Sequence, residues 1–296
     1  MANALARSVK HHSPSTKVAL VTDSVSLKRD PAVDVVMPLQ PDFGSGLRQK
    51  LSIDHYSPFH RTIFVDADCL AVQDVRFMWE LFAGTPLGVC GRSVFSGRWC
   101  GGDLQRVRTK LGIVRPLPKF NSGLIYWEDI SLARDVFAQA RKLLPRYREL
   151  GFSGLRPDLP VNDEPLLGLA MALYGIDLVN DRGRTMRTMV GMRGRLQIDV
   201  LRGVCRLEKE GEVVEPAIFH FSGDIAANYY YRRERRKLRL VDTYNLPAAM
   251  VAPLVNAVYW PLALWYQARK ISEIVATSVT SALRGRRRGS SGGGGR

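Results

Sequence analysis

Residues Arg61–Val72 read RTIFVDADCLAV. The apolar stretch Thr62–Val65 runs into Asp66-Ala67-Asp68, and apolar residues then resume. Side chains of an extended chain alternate faces, so carboxylates two residues apart are expected to project together where the strand ends. Two carboxylates so placed repel each other unless a cation lies between them. A divalent ion is the simple solution, and oxygen ligands suit Mg2+ or Mn2+, whose shells phosphates and water complete. Open α/β sheets bind ligands at the carboxyl ends of their strands, which makes this the first candidate site. Taken alone, the tripeptide also fits a plain turn; its position after an apolar strand favours the metal reading.

Working outward, short apolar runs alternate with helical patterns. Val18–Thr22, Val33–Met37, Thr62–Val65, Leu87–Cys90, Lys119–Trp127, Ile176–Val179, Leu196–Val200, Val204–Leu207 and Ala217–Phe221 read as strands. Ala2–Lys10, Gly46–Tyr56, Phe77–Phe82, Ile130–Leu144 and Asp163–Tyr174 read as helices. Such alternation predicts an α/β domain with a mostly parallel central sheet flanked by helices.

The chain has 296 residues, 46% hydrophobic and 24% charged, enough for a sizeable core. Its formal net charge of +15 favours anionic partners without choosing among nucleic acid, membrane and phosphorylated substrates. The four cysteines, Cys69, Cys90, Cys100 and Cys205, form no CxxC pair and no zinc-type spacing with histidine. Met1–Lys10 has no apolar leader core, so reduced thiols in a cytoplasmic protein are expected.

Four short motifs occur in order: Lys50-Leu-Ser-Ile with the later Thr62–Asp68 segment, Phe120-Asn121-Ser122-Gly123-Leu124, Asn162-Asp163-Glu164-Pro165, and His220-Phe221-Ser222-Gly223. Together they resemble GT-A-fold nucleotide-sugar glycosyltransferases, nearest the retaining family 8-like group, over roughly residues 1–225. The resemblance implies a metal-dependent transferase that moves a sugar from a nucleoside-diphosphate donor, expected to be a UDP-sugar, to an acceptor hydroxyl. It implies Asp66, Asp68 and His220 as ligands of Mn2+ or Mg2+. Asp163 would lie near the donor sugar and Glu164 would face the reacting carbon. Asp23, Lys50, Asp66, Ala67, Asn121, Ser122, Gly123 and Gly223 would line the donor.

Plainer readings stand beside these. His220 fits a satisfied histidine at a strand end, and Asp163 and Glu164 fit acids at a helix start, where the dipole favours them. Asn121–Gly123 fits a turn, Asp23 a cap, and Lys50 or its competitor Arg48 a solvated charge. Three departures from the pattern are visible. Glu164 stands where relatives often carry Gln. No lysine follows the HxxG motif; the stretch there is Asp224-Ile-Ala-Ala, with Arg232 and Arg233 as the nearest substitutes. Relatives also begin with a strand ahead of the helix that Ala2–Lys10 resembles. An upstream start is therefore expected, since without that strand its neighbours would carry unpaired backbone.

Composition divides the chain into a catalytic domain over 1–228, a basic and apolar helical extension over 229–284, and a low-complexity Arg/Gly/Ser tail over 285–296 expected to be disordered. Tyr229–Leu240 is densely basic, and Thr243–Ala268 contains no charged residue. Prolines 247, 253 and 261 weaken a simple membrane span, whereas Tyr259, Trp260, Trp265 and Tyr266 suit a membrane interface. Peripheral contact with an anionic membrane is the expected partner reading, with a glycan, lipid-linked molecule or protein as acceptor. Two rival functions remain at this point. One is a degenerate transferase-like binding protein; the other, less favoured, is a glycosyltransferase acting on nucleic acid.

Overall fold

The computed structural model describes residues 1–24, 30–154, 161–223, 228–265 and 268. Contacts divide the chain into two units, Met1–Ser222 and Gly223–Arg296. The boundary between them falls within the HFSG segment, between Ser222 and Gly223.

The first unit is α/β. Its strands are β1 (Ala19–Thr22), β2 (Val35–Pro38), β3 (Thr62–Val65), β4 (Cys69–Ala71), β5 (Leu87–Gly88), β6 (Gly91–Val94), β7 (Arg98–Trp99), β8 (Gly102–Asp103), β9 (Leu117–Phe120), β10 (Leu124–Trp127), β11 (Met186–Thr188), β12 (Met192–Asp199), β13 (Val204–Lys209), β14 (Glu212–Val214) and β15 (Ile218–His220). Its α-helices are α1 (Ala2–His12), α2 (Leu47–Lys50), α3 (Phe77–Leu81), α4 (Leu104–Lys110), α5 (Ile130–Leu143) and α6 (Asp163–Leu173).

The expected mostly parallel sheet is corrected. Among the described strands, β1–β2 and β11–β15 pair in parallel, while β3–β10, β10–β5, β15–β4, β6–β9, β7–β8 and β12–β13–β14 are antiparallel. The tight turns explain part of this, because a connection of a few residues can join only antiparallel strands. Cys100-Gly101 between β7 and β8 is such a turn, with φ of 44° and 80°. The strand β3 therefore ends beside an antiparallel neighbour, not a parallel one.

Other expectations shift locally. Gly46–Tyr56 is not one helix but α2 followed by a 3-10 turn over Ile53–Tyr56. Lys119–Trp127 breaks into β9 and β10 at Asn121–Gly123. Ile176–Val179 forms only a single bridge, Val179 to Cys90.

The core forms around β10, whose four residues are all buried. Helix α5 starts where the Asp129 carboxylate accepts from the Ser131 and Leu132 amides. Its apolar residues recur at helical spacing, and Ala133, Val136, Phe137, Ala140 and Leu143 are buried. Helix α6 is apolar on nearly every side, as a helix inside a core must be. Gly168 lets it approach β9: a methyl there would lie 2.7 Å from the Pro118 carbonyl oxygen and 2.8 Å from the Trp99 ring.

The second unit contains α7 (Tyr229–Tyr244), opened by the Asn228 side chain accepting from the Tyr231 amide and closed by left-handed Asn245. Arg232, Arg235, Arg236 and Arg239 are exposed on it at helical spacing, so they share one face. The helical stretch Ala248–Trp265 is long and apolar enough to cross a membrane, and only 17% of it is buried. Met250, Leu254, Val258, Trp260 and Trp265 are exposed. Asp224–Ala227, Tyr266 of the expected interface aromatics, the expected helical extension beyond Ala268 and the low-complexity tail lie outside the described residues.

Candidate functional site

The Asp66-Ala67-Asp68 segment is a turn between β3 and β4, closed by the Cys69 amide donating to the Asp66 carbonyl at 3.0 Å. The two carboxylates therefore do not meet by strand alternation, as the sequence suggested. The turn brings them to His220 instead. His220 Nε2 lies 3.0 Å from Asp68 Oδ1 and 3.9 Å from Asp66 Oδ2. The cross-strand pairing of His220 with Cys69 holds the imidazole there. Asp68, Cys69 and His220 place their ligating atoms within 4.8 Å of one another, although Cys69 is fully buried and burial keeps its thiol protonated.

Asn121 orients that imidazole. Its Oδ1 accepts from the Gly123 amide at 2.9 Å and lies 3.0 Å from His220 Nδ1. An oxygen already accepting from one N–H can only accept again, so Nδ1 carries the proton and Nε2 is left toward Asp68. A proton or a metal ion on Nε2 are then alternatives at this spot. The donor set, two carboxylates and an imidazole with a fixed second nitrogen, fits a divalent cation. Gly123 makes the arrangement possible, because a methyl there would stand 2.8 Å from both Asn121 Oδ1 and His220 Nδ1.

Lys50, at the end of α2, ties this group to the start of α6. Its Nζ donates to Asp66 Oδ2 at 2.7 Å and lies 3.4 Å from Asp163 Oδ2. Burial alone would lower the ammonium's pKa, but the charges of Asp163 and Asp66 outweigh it and raise it. The competitor Arg48 is exposed, with its side chain against Gly44. For Asp66, burial pushes the carboxyl up and the lysine offsets only part of that. For Asp68, burial also pushes up, yet the hydrogen bond and charge of His220 prevail and lower it.

The Asn162 side chain caps α6 by accepting from the Glu164 amide at 2.8 Å, which sets Asp163 and Glu164 in the first turn. Asp163 is buried, and its Oδ2 faces the Lys50 ammonium at 3.4 Å. Glu164 is pushed up to about 7, chiefly by burial and then by Asp163. Lys50, the Ser122 amide and the Trp99 indole pull the other way.

Most residues expected at the site are thus joined by contacts: Lys50, Asp66, Asp68, Asn121, Ser122, Gly123, Asp163, Glu164 and His220. Ala67 lines the adjoining cavity. Asp23 is exposed after β1, and among the described residues no contact joins it to this group. Gly223, with φ of 107°, opens the second unit, and Arg233 of that unit pairs with Glu234. The sequence reading missed Trp99 and Cys100. Their signal was an aromatic residue ahead of Cys100-Gly101-Gly102, a turn with two positive φ angles that aims the indole at Glu164.

No family model and no curated protein matches the chain. Solved structures similar to it include the galactosyltransferase LgtC in complex with donor and acceptor sugar analogs, 16% identical over 86% of this chain and 90% of that chain, with a TM-score of 0.49. An active-site mutant of LgtC is 17% identical over 75% of this chain and 82% of that chain, with a TM-score of 0.48. Scores at this level carry no functional weight; the side chains must carry it.

Proposed function

We propose that this chain is a glycosyltransferase of GT-A type that moves a sugar from a nucleoside-diphosphate donor, a UDP-sugar, to an acceptor hydroxyl with retention. The observation that carries the reading is the Lys50 bridge, 2.7 Å to Asp66 and 3.4 Å to Asp163, which joins the aspartate turn and the acidic helix start into one site.

Asp66, Asp68 and His220 would hold Mn2+ or Mg2+. That ion would neutralise charge growing on the departing diphosphate. The remaining roles belong to the chain itself. The buried Asp163 carboxylate, whose Oδ2 has the Lys50 ammonium 3.4 Å away and further acceptor capacity to spare, is suited to a donor-sugar hydroxyl. Asn121 fixes His220, Gly123 leaves room for it, and the Ser122 amide steadies Glu164. Glu164, pushed up to about 7, gains its carboxylate form as pH rises through neutrality, and that form would stabilise positive charge at the anomeric carbon.

The test is donor hydrolysis with and without Mn2+ in wild type, Asp66→Ala and Asp68→Ala. Metal-dependent turnover that both substitutions remove supports the reading; equal rates in all three reject it. A second reading is nucleotide-sugar binding without turnover. It is favoured by Lys50, whose ammonium already neutralises Asp66. Calorimetry with UDP and Mn2+ separates the two, because this reading requires binding without hydrolysis.

The exposed arginine face of α7 and the exposed apolar residues of Ala248–Trp265 support placing the second unit on an anionic membrane, which fits a lipid-linked acceptor. The membrane reading is preferred to nucleic acid because an apolar surface of this kind has no use on a phosphate backbone.

A further inference from the structure

Strand β6 pairs antiparallel with β9, and Arg92 stands directly opposite Lys119. Like charges in that relation destabilise a ladder. Elsewhere in the described ladders, opposed charged residues carry opposite signs: Arg98 with Asp103, Arg193 with Glu208 and Lys209 with Glu212. Among the described residues, no carboxylate is in ion-pair contact with Arg92 or Lys119.

The two cations border the candidate site. Lys119 lies two residues before Asn121, which fixes His220. Its Nζ donates to the Arg98 carbonyl at 3.3 Å and stands 5.6 Å from the centre of the Trp99 ring. That ring is buried against Gly168 of α6, and its indole donates to Glu164. The indole thus joins the ammonium to the acidic helix start. Burial lowers the Lys119 pKa and the charge of Arg92 lowers it further, while Cys100 and Glu164 offset only part of this. Arg92 is exposed and Lys119 half-buried, so a ligand can reach both from solvent.

We propose that Arg92 and Lys119 hold a phosphate group carried by the acceptor, in a subsite beside Trp99 and Glu164. A doubly charged phosphate matches two cations, whereas a single carboxylate would leave one of them uncompensated. The guanidinium fork suits two phosphate oxygens and the ammonium a third. A phosphate between them replaces repulsion across the ladder by attraction to both strands. The Glu164 carboxylate repels that phosphate, which keeps it at the strand pair and leaves a hydroxyl of the acceptor to approach Glu164. The net charge of +15 draws such an acceptor toward the chain. The inference rests on the transferase reading for what carries the phosphate; the opposed cations themselves do not depend on it. The carrier is a soluble sugar phosphate or a lipid with a phosphate headgroup, and the experiment separates the two.

The full chain, with UDP and Mn2+ present, is labelled with phenylglyoxal, and the labelling rate of Arg92 is read by mass spectrometry. Glucose 6-phosphate is the soluble probe, matched by glucose in chloride of equal ionic strength. Phosphatidylcholine vesicles with and without phosphatidic acid are the lipid pair. Occupancy slows labelling in proportion to bound over free site, so about tenfold protection is expected when the probe reaches about ten times its dissociation constant. Lys119→Gln is expected to remove that protection, and Arg134→Gln, exposed on α5, to retain it. Protection by glucose 6-phosphate supports the proposal with a soluble acceptor; protection by phosphatidic acid alone supports it with a lipid-linked one. Equal labelling within both pairs overturns it, as does protection that persists in Lys119→Gln. Protection by UDP and Mn2+ to which neither phosphate adds overturns it in favour of the donor's own phosphates. Phosphate protection in a chain that gives no calorimetric heat with UDP and Mn2+ upholds the subsite and rejects the transferase reading instead.

Discussion

Asn121 Oδ1 sits 3.0 Å from His220 Nδ1 while accepting the Gly123 amide at 2.9 Å, and this pairing decides which ring nitrogen faces Asp68. Outer contacts of this kind commonly govern metal affinity as strongly as a ligand does, by roughly 10- to 100-fold. Asn121→Ala is therefore expected to raise the Mn2+ concentration needed for half-maximal donor hydrolysis within that range. A Mn2+ titration of the wild type and the variant checks it, and an unchanged midpoint would remove Asn121 from the site.

Gly123→Ala tests the same pocket sterically. The added methyl would stand 2.8 Å from two polar atoms, so the imidazole must move. The expected outcome is loss of turnover and of Mn2+ binding, with a stability cost of about 1–3 kcal/mol typical of overpacking. Circular dichroism and urea melts distinguish this from unfolding.

Lys50→Met leaves Asp66 and Asp163 buried without their shared cation. Breaking a buried pair costs roughly 3–5 kcal/mol. Burial already pushes the Asp66 carboxyl up, and without the lysine's offset it binds its proton more tightly still when folded, so the folded variant holds more protons than the unfolded one. Stability of the variant is thus expected to fall as pH rises from 5 to 8, more steeply than in wild type. Urea midpoints at both pH values measure the difference.

Glu164 supplies a second pH effect. Its folded pKa of about 7 exceeds the ordinary carboxyl value of 4.5. Between those values the folded state again holds the extra proton, so the group disfavours folding as pH rises through this window. The cost is at most about 3 kcal/mol above pH 7. Glu164→Gln is expected to flatten the stability profile, and to abolish a rise in donor hydrolysis through pH 7 seen in wild type. Parallel profiles for the two proteins would remove Glu164 as the titrating group.

On α7, Arg235 and Arg236 belong to the exposed basic face. At about 1 kcal/mol per basic residue near an anionic surface, changing both to Gln is expected to weaken binding to phosphatidylserine vesicles by more than tenfold. Vesicle sedimentation at low and high salt reads this directly, with Trp260 and Trp265 fluorescence shifting to the blue on binding.

Much of the site was legible because its chemistry lies in short local words. The turn acids Asp66 and Asp68, the Asn121–Gly123 break and the helix start at Asp163 each follow from a few adjacent residues, and a capping Asn162 marks its own helix. Trp99 was not legible, since nothing in its neighbourhood says that its indole reaches a carboxylate sixty-five residues later. Nor was strand direction, because β3 and β10 are joined through a long connection that permits either sense.

By itself, then, the sequence determined the kinds of element and the candidate acids, since periodicity, capping and turn chemistry act over a few residues. Only the tertiary structure decided that Lys50 rather than Arg48 meets those acids, that a turn rather than a strand directs them to His220, and that Arg92 and Lys119 stand opposite each other across one ladder. These are relations between segments far apart in the chain. They depend on packing and on the register in which distant strands pair, and no local pattern encodes either.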